Sequence, residues 1–177
     1  MGPLLFFIYI NDIDTDLFSK QCKFADDTKI GRALSTEDEV QLLRDDLKNF
    51  DKWTIDWQLL FNVEKYVVMH IGTNNKLCSY NMNNETLKTV DVERDLGVII
   101  NNNGKYSEQC LMAAKKANCV LGMIKRNIKC KNAAIIMRLY KFLVRPRLEY
   151  CIQAWSPYKK DIEVLERVKK RATKMVY

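Results

Sequence analysis

At residue 104 the chain changes character, and no single uniform architecture suits both sides of that point. Residues 1–104 mix short apolar and β-branched runs with turn residues, and hold 11 basic against 17 acidic side chains, a net of −6. Residues 105–177 hold 18 basic and 5 acidic side chains, a net of +13, and their apolar residues recur at helical spacing. The shift predicts an α+β region over 1–104 and an all-helical basic region over 105–177. A basic half of this strength reads as a surface for a polyanion, most simply nucleic acid. For any one lysine a solvated helix face is the simpler reading; the excess over the whole half points to a partner.

Within the first region, PLLFFIYINDI (3–13) is apolar on nearly every face and reads as a short buried helix, with Pro3 suited to its first turn. The eight apolar residues 3–10 are far short of the ~20 that span a bilayer, and no basic segment of the secretory kind precedes them. CKFA followed by DDTKIG reads as strand, turn, strand, with the acids at the turn. Thr36 and Glu39 form a capping-box pattern ahead of a helix over about 37–57, whose apolar spacing includes Val40, Leu43, Leu47, Phe50, Trp53 and Trp57. Strands are expected over 66–72, 86–92 and 96–100, with NNNG (101–104) as a turn. Three helices follow, over about 107–127, 132–155 (bent or broken by Pro146) and 161–177.

The cysteines at 22, 78, 110, 119, 130 and 151 form no CxxC pair, and His70 is the only histidine. A Cys/His zinc site has no local signature, and the cysteines read as free thiols in a reducing, intracellular compartment, cytoplasmic or nuclear. Trp53 and Trp57, four apart on one helix, read as core rather than as a base-stacking platform. His70 reads as structural, and Trp155 and Tyr158 as packing residues.

Asp26 and Asp27 carry the chemistry of interest. Two carboxylates on a hairpin tip suit hard divalent cations such as Mg²⁺, and two such ions ~4 Å apart can activate an attacking hydroxyl and stabilise a leaving pyrophosphate. Without context, a structural turn is the commoner role for such a pair. Asp45-Asp46 is a second pair, expected on the exposed face of a helix with no chemical part.

The order GPLLFFIYINDI, FADDTKI, WQLLFNVEKYVVMHIG, DLGVII, then LYKFLVRPRLEYCIQAWSPYKKDIEVLERVKKRATKM resembles the reverse transcriptases of non-LTR (LINE-type) retrotransposons over essentially the whole chain. The resemblance implies a partial polymerase palm over 1–104 and a thumb-like region over 105–177. It implies RNA-directed DNA polymerisation as the ancestral activity, an RNA template and a DNA primer as partners, and Mg²⁺ as cofactor. Asp26 would be the main metal ligand and Asp27 its neighbour, with Phe24 and Ala25 shaping the strand beneath the primer end. Gly2 and Pro3 would close a motif that contacts template and incoming nucleotide. Lys65 stands where the family places a lysine near the nucleotide's phosphates; an ordinary surface lysine is the other reading. Asp95, Leu96, Gly97 and Val98 correspond to a primer-gripping segment. Lys115, Lys116, Lys125 and Arg126, and the run Arg167, Lys169, Lys170, Arg171 and Lys174, would face phosphates. That run could equally serve RNA, DNA or nuclear import.

The sequence also departs from the family pattern. The third catalytic aspartate, the fingers and the glutamine-glycine turn before GPLL are absent, Tyr66 replaces a usual cysteine, and both ends look cut. The expectation is therefore a fragment inactive as a polymerase by itself, with Mg²⁺ binding weakened or lost. The alternatives are a non-catalytic basic nucleic-acid-binding module and a translated remnant with no selected function.

Overall fold

The computed structural model describes residues 2–15, 17–25, 27–59, 62–129 and 132–176. The chain is a mixed α and β protein that divides into two compact units, Met1–Val90 and Asp91–Tyr177. Each unit has its own core among the described residues.

The first unit opens with α1 (Gly2–Tyr9), whose Leu4, Leu5, Phe7 and Ile8 are exposed rather than buried as the sequence suggests. β1 (Lys20–Phe24) and β2 (Asp27–Gly31) then form an antiparallel hairpin in which Phe24 pairs with Asp27. α2 (Glu37–Asp56) begins with the expected capping box: the Thr36 hydroxyl accepts from the Glu39 N–H, and the Glu39 carboxylate accepts from the Thr36 N–H. Its inner face packs Val40 and Phe50 against Ile13, Tyr80, Met82 and Leu87.

The remaining strands of this unit are two residues long. β3 (Val67–Val68), β4 (Asn81–Met82), β5 (Glu85–Thr86) and β6 (Lys88–Thr89) form two ladders, β4 antiparallel to β5 and β3 parallel to β6. The strand expected over 66–72 stops at Val68. His70 beyond it is buried, its Nδ1 3.1 Å from the Asn75 side-chain oxygen and its ring beside Tyr80.

The second unit starts with a hairpin, β7 (Val92–Asp95) and β8 (Val98–Asn101). The composition shift at 104/105 therefore lies inside this unit, because Val98 belongs to a cluster with Cys110 and Trp155. α3 (Ser107–Asn127) follows the sequence reading, with Cys110, Ala114, Ala117, Leu121 and Ile124 buried. The next helix runs as α4 (Ala133–Leu139), a π-helical segment Tyr140–Val144, and α5 (Arg145–Glu149). It ends six residues before Trp155, where Tyr150 leaves the helix and Cys151 takes φ +52°. α6 (Lys159–Thr173) closes the unit.

Two observations account for the π segment. Pro146 has no N–H and its ring collides with the carbonyl four residues back, so the turn before it must widen. The Arg145 N–H reaches the Tyr140 carbonyl, five residues back. The core also asks for it: Ile136, Tyr140, Val144 and Leu148 all lie in one cluster at successive four-residue steps. A regular helix overshoots a full turn by about 40° at each such step. The wider π turn takes back part of that drift and keeps all four residues on one side.

Candidate functional site

The hairpin tip is where the resemblance puts its metal site. The Phe24–Asp27 pairing closes the hairpin at its tip, where Ala25 is described. Ala25 holds φ +55°, a left-handed conformation costing about 1–2 kcal/mol for a residue with a Cβ. Phe24 and Asp27 are exposed. Asp26 lies outside the described residues. Gly2 and Pro3 form the first turn of α1, and Lys65 ends a short 3₁₀ turn, Val63–Lys65, exposed to solvent. Nothing described brings Lys65 to Asp27. Among the described residues no group of three or more His, Cys, Asp or Glu side chains is gathered as a metal site requires.

Asp46 corrects the sequence reading of the second acid pair. It is fully buried, and its two carboxylate oxygens accept from the backbone N–H groups of Phe18 (2.8 Å) and Ser19 (2.9 Å). Asp51, on the same helix, accepts from the Asn83 N–H at 2.8 Å. Both acids hold backbone from segments distant in sequence. Asp45 does lie on the solvent side, where Lys48 and Gln41 donate to it and lower its pKa.

Trp53 is half-buried in the core, and Trp57 stacks on it at 5.9 Å with Tyr9 edge-on to both. The Tyr9 hydroxyl donates to the Trp57 carbonyl. This contact holds α1 to the end of α2.

In the second unit Leu96 and Gly97, expected from the resemblance to lie in a primer-gripping segment, form the turn between β7 and β8. Asp95 pairs with Val98, and the two loop residues, Leu96 (φ +43°) and Gly97 (φ +86°), are both left-handed, as a type I′ hairpin requires. The Tyr150 hydroxyl donates to the Leu96 carbonyl at 2.9 Å, and its ring lies against Gly97. Val98 is buried beneath.

The cations lie on α3 and α6, two helices that pack side by side and run in the same direction. Ser107 at the start of α3 donates to Asp161 in the first turn of α6 (2.9 Å), and Arg171 donates to Asn118 eleven residues further along α3 (2.9 Å). The buried Asp161 carboxylate thus ties together the N-terminal ends of both helices. Lys115, Lys116, Lys125 and Arg126 are exposed on α3. Of the basic run, Lys169 pairs with Glu166 at 2.6 Å, which raises its pKa, and Arg167 pairs with Glu163 at 4.0 Å. Lys170, Arg171 and Lys174 are exposed. Ion pairs this exposed contribute at most ~1 kcal/mol, so phosphates can displace them.

The units differ in charge. Met1–Val90 holds 10 basic and 14 acidic side chains and Asp91–Tyr177 holds 19 and 8, giving −4 and +11, which add to +7. Among the described residues no disulfide forms, and Cys22, Cys78, Cys110, Cys119 and Cys151 are free. No described helix is long and apolar enough to cross a membrane. No protein-family model matches the chain, and no match is found among curated proteins or solved structures.

Proposed function

We propose that the chain is a reverse-transcriptase-like protein that binds nucleic acid through its second unit. In this reading the first unit corresponds to part of a polymerase palm and the second to the thumb-like region. The observation that carries it is the +11 charge of Asp91–Tyr177, part of it carried by the exposed faces of two parallel helices. Such a surface neutralises phosphates, and each contact releases a counterion, so affinity falls steeply with salt and is blind to sequence.

The polymerase half of the reading is ancestral. Two-metal phosphoryl transfer needs converging carboxylates, and the described residues gather no set of three. The second reading is a metal-free binding module that uses the basic unit alone. Both readings require salt-dependent binding; only the palm reading makes binding of a template–primer strengthen with Mg²⁺ and depend on Asp26, tested by Asp26→Asn.

The test is anisotropy of a labelled RNA–DNA template–primer over a salt series, with and without Mg²⁺, beside a primer-extension assay. A steep linear fall of log affinity with log salt, with Mg²⁺ weakening binding as a further competing cation, and no extension is the expected result. Affinity independent of salt would remove nucleic-acid binding altogether. Primer extension lost in Asp26→Asn would restore the polymerase.

A further inference from the structure

Phe142 is the most exposed of the large apolar side chains among the described residues, at 77%. It occupies the middle of the π segment, whose flanking members Tyr140 and Val144 take the inward positions against α3. The widened turn that satisfies Pro146 and the core therefore also turns an aromatic ring outward. Beside it lie Leu143, also exposed, and several cations. Arg138 lies one turn earlier and Lys141 is adjacent; both are exposed, and neither is in an ion pair among the described residues. Arg145, one turn later, is held by Glu149, its Nε 2.7 and 2.9 Å from the two carboxylate oxygens.

An exposed ring is unfavourable in water, and one set among free cations on a strongly cationic unit has a specific complement. Every base offers a π-face to an aromatic ring, and every phosphate beside it offers a charge to a lysine or arginine. A duplex keeps its base faces stacked inside, so the fitting ligand is single-stranded. We propose that Phe142 is a stacking platform for an unpaired base of single-stranded nucleic acid, with Arg138 and Lys141 holding the adjoining phosphates. This rests on the reading of the second unit as a nucleic-acid binder, and adds to it a contact with bases.

The test uses the full chain and two fluorescein-labelled single strands, oligo(dT) and an abasic strand of the same length, titrated over a salt series. Phe142→Ala is expected to weaken oligo(dT) binding about tenfold with the salt slope unchanged, since stacking releases no ions. It should leave abasic binding as it is, and Phe142→Trp should keep oligo(dT) affinity. Arg138→Gln and Lys141→Gln should each reduce the slope by about one. Helical circular dichroism should be unchanged in Phe142→Ala, because the ring supports no core. Salt-dependent binding in the wild type with no effect of Phe142→Ala on oligo(dT) overturns the platform alone. No salt-dependent binding in the wild type overturns the platform together with the reading beneath it. An altered sedimentation coefficient in Phe142→Ala, with oligo(dT) affinity intact, assigns the ring to contact between copies of the chain and also overturns the platform.

Discussion

Gly97 meets two constraints at once. Its φ of +86° lies where a side chain is strained, and a Cβ there would come within 3.2 Å of the Tyr150 ring. Gly97→Ala is expected to lower stability by about 2 kcal/mol, from the left-handed backbone and the displaced ring together. The urea midpoint of Asp91–Tyr177 reads this directly. Asp46→Ala orphans the N–H groups of Phe18 and Ser19, and about 3 kcal/mol should be lost from the first unit. Cys110 adds a pH dependence. Burial first, and then the charge of Asp161, push its thiol from 9.0 up to about 11. The protonated thiol's contribution is complete below pH 9.0 and is lost as pH rises towards 11. Urea midpoints across that window should fall further in the wild type than in Cys110→Ala. Asp46 was not legible in the sequence, where it reads as one of many solvated helix acids. Its role depends on N–H groups 27 and 28 residues away that only the fold delivers.

Among the elements, those fixed by local chemistry were legible. The Thr36–Glu39 capping box marks the start of α2, and Thr36→Ala should cost about 1 kcal/mol. The Glu39 carboxyl is held below its ordinary range by the N–H groups of Thr36 and then Ser35. The help it gives the helix start is whole above pH 4.5 and lost as pH falls below it, an acid weakening that Glu39→Ala should lack. The helical period of α3 placed its buried stripe correctly because one face repeats over 21 residues. Two-residue ladders carry no such period. β3 pairs with β6 across 21 positions of sequence, and nothing in YVVMHIG says that only Val67 and Val68 will find a partner. Pro146 marked a disturbed helix, but not that a π segment precedes it or that Phe142 faces outward.

For the whole molecule, the second unit's own core clusters predict that residues 91–177 fold by themselves. All the members of their clusters lie within them, from Val98 to Val176. A fragment of those residues should show one cooperative urea transition by circular dichroism and keep the salt slope of the full chain on oligo(dT). A broad melt, or a flatter slope, would mean that the first unit takes part. The basic half was legible in composition, although its boundary was displaced because charge begins to change after the hairpin that the helices hold. The acid pair at the hairpin tip was legible only as a motif, since a metal site depends on ligands converging from separate segments.

The tryptophans divide along the same line. Trp53 and Trp57 stack on each other in the first unit. Trp155, alone in the second, is buried with its indole N–H donated to the Tyr150 carbonyl at 2.9 Å. Each unit therefore carries its own optical label: a stacked pair, one ring half-buried and the other exposed, in one, and a shielded, blue-emitting indole in the other. Trp155→Phe would silence the second label, so that the two halves could be followed separately in one cuvette without attaching a dye.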